Sequence, residues 1–473
     1  MCPDRTALPV QRPTAPPTLN PTVAENLIQL EIEDLAFDGK SVANLDGKVV
    51  FLEGGLPGET VKAEITHVRP RYNHGVVREI LNRAPERVPA VCSHFDICGG
   101  CTWQDLQYDK QLFFKRKQVV DCLQRIGGME NILIEPVIPA PELFFYRNKM
   151  EYSFHVKPEG EFTLGLHHRG RFDLIFDLER CHLQSEISNR VVAFLRKYVR
   201  DHDLPVYDVL FHRGYMRFVI IREGKFTGEV MVNVVTNFGA FPEPERLVGE
   251  MRSAVPEITT IVHNQNGGKS NIATGEAEEE LLYGPGYIEE IVLGTRFRIK
   301  ANSFFQTNSR QVEKLYTVAF DKLQTDGTEQ ILDLYCGTGA IGLMLAHRVA
   351  HVTGVELVAT AVQAARDNAQ LNGIANCEFV EANVLDYLRT SSFEKTHHAI
   401  IIIDPPRAGM HPKALKRIID YGPERLLYIS CNPATFARDA KELVAAGYRL
   451  PEVSPVDMFP HTMHIEVVGL FSR

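Results

Sequence analysis

The chain has 473 residues, which is enough for two or three domains that each bury a core. Its 51 basic and 60 acidic residues give a formal net charge of -9, so an anionic partner must be bound by local basic patches and not by the overall field. The odd number of cysteines (nine), and the lack of a signal segment or a bilayer-length apolar run, argue against a disulfide framework and a membrane anchor and predict a cytoplasmic protein.

The first predicted segments are a leader and a small barrel. Residues 1–25 are rich in proline and predict a disordered leader. Residues 26–88 alternate short strands with turns, and the Asp-Gly pairs at Asp38 and Asp46 are hairpin signals, so we expect a β-barrel of the oligonucleotide-binding type. Its last third is basic and suits binding to phosphates, although a solvated surface would look the same; the residues concerned are Arg69, Arg71, His74, Arg78, Arg83 and Arg87.

Residues 89–298 predict a central α+β domain. An amphipathic basic helix lies within residues 103–126, where Gly127 and Gly128 end it, and a second helix is expected over residues 188–199. The segment "FFYRNKMEYSFHV" places Arg147 among aromatic residues, a pattern that is typical of a nucleic-acid surface but equally of a half-buried edge strand.

Four cysteines of this central region could bind a metal. Four thiolates suit zinc or an iron–sulfur cluster, and their spacing, C-x5-C-x2-C with a distant fourth member, does not choose between the two. The candidate ligands are Cys92, Cys98, Cys101 and Cys181.

Residues 299–473 alternate strands with helix-length segments, which predicts a parallel, doubly wound sheet. The glycines Gly337, Gly339 and Gly342 follow the first strand in the spacing G-x-G-x-x-G, and Glu356 ends the next strand. A nicotinamide cofactor and S-adenosylmethionine are both compatible with this pattern.

Three further residues of this domain are candidates for chemistry. Asp404 opens "DPPRAG" at a strand end, Cys431 precedes a helix capped by Asn432, and Glu466 lies in an otherwise apolar strand. We expect the helix dipole to favour the thiolate form of Cys431 and burial to raise the pKa of Glu466. The structural alternatives are a tight turn at Asp404 and a buried, inert cysteine.

Two histidines, His461 and His464, have a spacing that metal ligands could use, but we expect hydrogen-bonded structural or substrate-contacting side chains there. A nucleophilic cysteine, a general base and a methyl donor together fit methylation of C5 of uracil. That carbon is a poor nucleophile until a thiolate adds to C6, and the target nucleotide must leave its stack to reach a pocket.

The motifs resemble those of the RNA 5-methyluridine methyltransferase family. The resemblance covers most of the chain from about residue 27, and it rests on "DGKVVFLEGGLPGE", "NSFFQTN", "DLYCGTGAIGL", "DPPRAG", "SCNPATFARD" and "HTMHIE". It implies a TRAM barrel, the central α+β domain and a Rossmann-like methyltransferase domain, with Cys431 as nucleophile and Glu466 as general base. The S-adenosylmethionine contacts that it implies are Gln306, Tyr335, Glu356, Asn383 and Asp404, while Ala340 stands where some members have asparagine.

The same resemblance implies a 4Fe-4S cluster on Cys92, Cys98, Cys101 and Cys181, and 23S rRNA as the partner of a monomeric enzyme. A transfer RNA substrate stays open as an alternative. So do an enzyme that acts on a small molecule with structural cysteines, and a noncatalytic RNA-binding protein.

Overall fold

The computed structural model describes residues 27–157, 160–269, 273, 279–390, 393–394, 396 and 398–473. The predicted leader, residues 1–25, lies outside the described residues. The chain divides into two compact units, one that ends at Arg87 and one that covers Val88–Arg473.

The first unit is the predicted closed barrel. Its strands are β1 (Leu27–Leu35), β2 (Ser41–Leu45), β3 (Lys48–Glu53), β4 (Thr60–Val68) and β5 (Tyr72–Asn82). They follow the order β1-β2-β3-β5-β4, and β4 pairs back to β1. The turn between β2 and β3 is the Asp46–Gly47 pair, whose φ angles of 52° and 83° have the sign that a two-residue hairpin turn requires.

Ion pairs occupy part of the basic stretch of the barrel. Arg78 pairs with Glu64 at 2.6 Å, and Arg87 pairs with the buried Glu59 at 2.6 Å. Arg69 and Arg71 lie in the exposed turn between β4 and β5. The predicted phosphate-binding face is therefore smaller than expected, because Arg78 and Arg87 already neutralise carboxylates of the barrel.

The second unit opens with helix α1 (Tyr108–Arg125) and the short strand β6 (Leu133–Ile134), followed by a seven-stranded sheet. The members of that sheet are β7 (Lys149–Val156), β8 (Phe162–His167), β9 (Ile175–Asp177), β10 (Met216–Glu223), β11 (Val230–Thr236), β12 (Ile258–Gln265) and β13 (Glu280–Tyr283). The order is β13-β12-β11-β10-β7-β8-β9, with β11 and β12 as its parallel pair. Helices α2 (Glu186–Asp201) and α3 (Pro244–Ala254) belong to this region.

A hairpin, β14 (Tyr287–Val292) and β15 (Thr295–Lys300), precedes the predicted doubly wound sheet. The strands of that sheet are β16 (Gln330–Leu334), β17 (His351–Glu356), β18 (Cys377–Glu381), β19 (Ile400–Ile403), β20 (Arg425–Ser430), β21 (Glu452–Val456) and β22 (Glu466–Ser472). Its helices are α4 (Ser309–Leu323), α5 (Ala340–Leu345), α6 (Ala359–Leu371), α7 (Val384–Tyr387), α8 (Pro412–Tyr421) and α9 (Pro433–Ala445), with a 3-10 turn at Ala346–Arg348.

The doubly wound sheet has the order β18-β17-β16-β19-β20-β22-β21-β6. The first five strands are parallel, whereas β22 runs antiparallel to β20 and to β21. Strand β6 joins the far edge, parallel to β21, so a segment from the amino-terminal part of the second unit completes this sheet. The expected boundary between residues 298 and 299 falls inside β15.

Two apolar cores flank this sheet. The run of isoleucines in β19 alternates between them: Ile400 and Ile402 face the core built with α4, α5 and α6, and Ile401 and Ile403 face the core built with α1, α8 and α9. A strand buried on both faces needs such a continuous apolar run. Among the described residues, no helix combines the length and the apolar character that crossing a bilayer demands.

Candidate active site

A cavity of about 1920 Å³ lies at the carboxyl ends of β16, β17, β19 and β20. This edge, where the strand order changes direction between β16 and β19, is where doubly wound folds bind their ligands. All of the candidate catalytic and cofactor residues line the cavity: Gln306, Tyr335, Glu356, Asn383, Asp404, Cys431 and Glu466. The fold thus brings together residues that are up to 160 positions apart in the sequence.

The glycine loop between β16 and α5 forms one wall of the cavity. Tyr335, Gly337 and Gly339 have φ angles of 63°, 54° and 78°, so the loop bends through the left-handed region. Glycine is required at 339, because a Cβ atom there would lie 2.8 Å from the ring of Phe379. Glu356 holds the loop from the next strand by accepting hydrogen bonds from the backbone N–H of Gly337 at 3.1 Å and of Val358 at 2.9 Å.

Asp333 of β16 also supports the glycine loop. Its side chain is fully buried and accepts a hydrogen bond from the N–H of Gly342 at 3.2 Å. Burial, with a contribution from Asp404, raises the pKa of Asp333 to about 8. The carboxyl of Asp333 does not line the cavity. The carboxyl of Glu356, at the end of β17, does line it and can contact a ligand.

Asp404 and Arg407 come from the loop after β19. Burial raises the pKa of Asp404 to about 7. The carbonyl of Arg407 accepts a hydrogen bond from the side-chain amide of Asn432 at 2.9 Å, which ties the end of β19 to the loop that carries Cys431. The guanidinium of Arg407 also donates to Nδ1 of His464 at 3.3 Å.

Cys431 lies between β20 and α9, as the sequence predicts. The side chain of Asn432 caps α9 by accepting a hydrogen bond from the N–H of Ala434 at 3.1 Å, and Pro433 is the first helical residue. The expectation of a thiolate favoured by the helix end is wrong for the protein without ligands. Burial and then the charge of Glu466 raise the pKa of this thiol to about 11, against the opposing effect of Arg407.

Glu466 is the first residue of β22, and only 4% of it is exposed. Burial, followed by the negative charge of Asp404, raises its pKa to about 8, while Arg407 lowers it. The predicted rise is therefore confirmed. A carboxyl with this pKa is suited to exchange a proton near neutral pH.

The two histidines of the β21–β22 loop have hydrogen-bonded roles, as expected. His464 lines the cavity, and Nδ1 of the buried His461 lies 3.2 Å from the amide nitrogen of Gln111. No group of three or more His, Cys, Asp or Glu side chains in the described part of the chain is arranged to hold a metal ion.

The four candidate metal ligands nevertheless lie in one region. Cys98, Cys101 and Cys181 belong to one buried cluster, and Cys92 packs against it. Burial and then the neighbouring thiols Cys98, Cys181 and Cys92 raise the pKa of Cys101 to about 12. Backbone N–H groups point at two of the sulfurs, from Gly100 to Cys98 at 3.3 Å and from Leu183 to Cys181 at 3.4 Å.

Sequence reasoning missed two aromatic residues of the site. Tyr316 of α4 is buried, lines the cavity and has a pKa raised well above its ordinary value by burial and then by Asp404. Phe459 lines the cavity beside Arg147, whose guanidinium lies 5.5 Å from the ring centroid. Tyr316 lies in a helix whose pattern is that of ordinary core packing, and Phe459 lies in a loop where nothing in the local pattern indicates that its ring reaches the cavity.

The strand order with its antiparallel β22, the glycine loop and the acidic end of β17 fit a methyltransferase of the S-adenosylmethionine-dependent class. The family model described as tRNA (Uracil-5-)-methyltransferase matches residues 271–473, and the TRAM domain model matches residues 27–77. An uncharacterized RNA methyltransferase of Chlorobaculum tepidum is 40% identical over 95% of this chain and 96% of its own length. An uncharacterized RNA methyltransferase of Halalkalibacterium halodurans is 38% identical over 95% of this chain and 98% of its own length.

A solved structure gives the same result. The tRNA (uracil-54, C5)-methyltransferase of Pyrococcus abyssi, in complex with S-adenosyl-L-homocysteine, matches with a TM-score of 0.75 and 31% identity over 94% of this chain and 100% of that chain. The chain therefore belongs to the S-adenosylmethionine-dependent RNA uracil-5 methyltransferase family, and it is an enzyme of that transferase type.

Proposed function

We propose that this enzyme methylates C5 of a uracil in RNA through a transient bond between Cys431 and C6 of the base. The observation that carries the proposal is that Cys431 and Glu466 line one cavity from neighbouring strand ends. A uracil between them presents C6 to the sulfur and the C5 proton to the carboxylate.

The reaction balances with these two groups. The thiolate of Cys431 attacks C6, and the electrons of the C5–C6 double bond form an enolate. S-adenosylmethionine, when bound, would supply an electrophilic methyl group; C5 would take it up, and S-adenosylhomocysteine would be the leaving group. Glu466 removes the C5 proton, the double bond re-forms, and the sulfur of Cys431 leaves as thiolate. Because the free thiol has a raised pKa, it needs compensating positive charge, and the guanidinium of Arg407 lowers that pKa.

For the methyl donor we propose contacts from Gln306, Tyr335, Glu356, Asn383 and Asp404. Support comes from their shared cavity and from the loop geometry around Gly337, where the backbone can approach a ligand closely. Asn383 caps α7 by accepting a hydrogen bond from the N–H of Leu385 at 2.9 Å, so its side-chain amide group is held at the cavity edge.

Trapping with RNA that contains 5-fluorouridine tests the proposal. Fluorine at C5 cannot leave as a cation, so a covalent protein–RNA complex should accumulate with the natural enzyme and vanish in Cys431→Ala. Cys377→Ala is the matched control, since this thiol is half-buried, does not line the cavity and should leave the complex intact. A complex that survives in Cys431→Ala would refute the mechanism.

We propose 23S rRNA as the substrate, with transfer RNA as the alternative. The rRNA proposal rests on the resemblance of the barrel and the cysteine segment. The Pyrococcus abyssi enzyme favours the alternative. Its match covers 94% of this chain, and the unmatched remainder is shorter than the barrel, so part of the barrel has a counterpart in that tRNA enzyme. Mapping 5-methyluridine in rRNA and tRNA from cells that lack this protein decides between the two.

We propose that RNA also contacts an aromatic face of the barrel. The rings of Phe51, Tyr72 and His74 lie 5.3–5.9 Å apart on β3 and β5, next to the exposed Arg69 and Arg71. Aromatic rings beside exposed cations suit stacking on single-stranded bases. Tyr72→Ala should weaken binding of a labelled RNA loop, whereas Phe37→Ala, an equally exposed aromatic outside this cluster, should not.

For the cysteine region we propose a 4Fe-4S cluster on Cys92, Cys98, Cys101 and Cys181, with zinc as the alternative. The chemistry of the ligands suits such a cluster, because four thiols lie in one buried region and backbone N–H groups point at two of the sulfurs. The cluster would hold the surrounding segments together, and no step of methyl transfer passes through it.

A further inference from the structure

We infer that Gln111 of α1 is a positioning residue that fixes the catalytic base from outside the methyltransferase sheet. The inference rests on the proposed role of Glu466. Its basis is a set of contacts to residues 457–465, the segment without regular secondary structure that joins β21 to Glu466; we refer to this segment as the base loop.

The base loop is bound to α1 at its beginning. Asp457 is fully buried and pairs with the equally buried Lys115 at 2.6 Å, and its second oxygen accepts a hydrogen bond from the hydroxyl of Tyr108 at 2.9 Å. The ammonium of Lys115 also donates to the carbonyl of Phe459 at 3.0 Å. The ion pair therefore fixes the point at which the chain leaves β21.

Gln111 fixes the middle of the base loop. Its side-chain oxygen accepts a hydrogen bond from the N–H of His461 at 2.9 Å, and its amide nitrogen lies 3.2 Å from Nδ1 of the same residue. His461 needs this support, since its φ of 66° lies in the left-handed region that non-glycine residues rarely adopt. The ring of Phe144 stacks on the His461 ring with centroids 4.5 Å apart.

The same side chain connects the base loop to the segment that follows Cys101. The amide of Gln111 donates to the carbonyls of Trp103 at 2.9 Å and Leu106 at 2.8 Å. In return, the N–H groups of Thr102 and Trp103 donate to the carbonyl of His461 at 2.8 and 3.0 Å. The fully buried side chain of Gln111 thus contacts both the base loop and the segment that follows Cys101.

The consequence concerns one step of the reaction. A loop held by so many bonds keeps Glu466 and His464 in fixed positions, and displacement by about 1 Å can slow a reaction step by roughly 100-fold. Loss of the Gln111 contacts should therefore slow removal of the C5 proton. Addition of Cys431 should be spared, because Cys431 lies between β20 and α9, outside the base loop.

The test compares Gln111→Leu with Gln118→Leu. Gln118 is matched, since it lies on the same helix, is 3% exposed and has no hydrogen-bond partner for its side-chain amide among the residues that the structure describes. Release of tritium from C5 of the RNA measures removal of the C5 proton. Formation of the covalent complex with RNA that contains 5-fluorouridine measures addition of Cys431, because no proton is removed from that base. We expect Gln111→Leu to release tritium roughly 10- to 100-fold more slowly while it forms the fluorouridine complex at the natural rate, and Gln118→Leu to match the natural protein in both assays.

A second variant covers the case in which Gln111→Leu does not fold. His461→Asn keeps the backbone bonds, tolerates the left-handed conformation and removes only the ring contacts, so it should slow tritium release to a smaller extent. Equal losses in both assays, or equal tritium release by the variants at 111 and 118, would overturn the inference. If the natural protein itself formed no fluorouridine complex, the proposed function would fail instead.

Discussion

Cys431 and Glu466 each lie one position beyond the last pair of the antiparallel ladder between β20 and β22. That pair is Ser430, the final residue of β20, with Val467, so Cys431 directly follows one member and Glu466 directly precedes the other. Directly opposed residues of such strands have Cα atoms about 5 Å apart. The antiparallel direction of β22 therefore brings its first residue, Glu466, to the edge of the sheet where β20 ends and Cys431 follows.

Glu466→Gln should trap the reaction after methyl transfer. Glutamine fills the same buried space but cannot remove the C5 proton, so the sulfur of Cys431 is not expelled. We expect a covalent complex with unmodified RNA and S-adenosylmethionine, and turnover lower by roughly 100- to 10,000-fold. Denaturing gel electrophoresis detects the complex. Prompt turnover by this variant would remove Glu466 from the mechanism.

Release of the C5 proton should accelerate as the pH rises. Glu466 acts only when ionised, and its pKa is about 8, so the rate should increase at least roughly tenfold per pH unit below that value and less steeply above it, where only the ionisation of Cys431, with a pKa of about 11, still contributes. Tritium release measured in single turnovers from about pH 6 to about pH 9.5 gives the profile. A rate that is flat across this range would show that another group removes the proton.

The protein without ligands should lose stability as the pH rises from about 4 to about 8. The pKa of Asp333 is about 8 in the folded chain, so the folded state binds a proton that the unfolded state has already lost. The stabilisation is complete below the unfolded pKa and disappears as the pH passes the folded one. Asp333→Asn should raise the Tm more at pH 8 than at pH 5, as calorimetry can measure. Equal shifts would contradict the assignment.

Glu356→Ala should weaken S-adenosylmethionine binding by roughly 10- to 100-fold, the value of a hydrogen bond to a charged group. The carboxylate lines the cavity and also holds the glycine loop through Gly337. Glu381→Ala is the matched control, since Glu381 pairs with Glu356 in the adjacent strand but is exposed and outside the cavity. Isothermal titration measures both; equal affinities would exclude Glu356 as a ligand.

Purification without air should give a brown protein with about four iron atoms per chain. Cys101→Ser should lose the colour and the iron, because it removes one of four thiolates. Cys122→Ser should keep them, since Cys122 is a buried cysteine of α1 that belongs to a different core. A colourless protein that contains zinc would establish the alternative metal.

Much of the fold follows from local sequence. Asp46–Gly47 marks a hairpin because its two residues accept positive φ, and the isoleucines of β19 mark a central strand because both faces of it are buried. The helix expected within residues 103–126 begins only at Tyr108, since residues 103–107 contribute backbone groups to the base loop and to Gln111.

The sequence by itself determined the order of the elements, the glycine loop, the cap of α9 and the burial of Glu466 in an apolar strand, because all of these depend on neighbours along the chain. Only the tertiary structure decided that β6 completes the catalytic sheet, that Arg78 and Arg87 are neutralised within the barrel, and that burial beside Glu466 raises the pKa of Cys431. It also decided that Gln111 contacts His461, which lies 350 positions away in the sequence. Burial, charge pairing and long-range hydrogen bonds arise from the packing of distant segments, and no local pattern of residues encodes them.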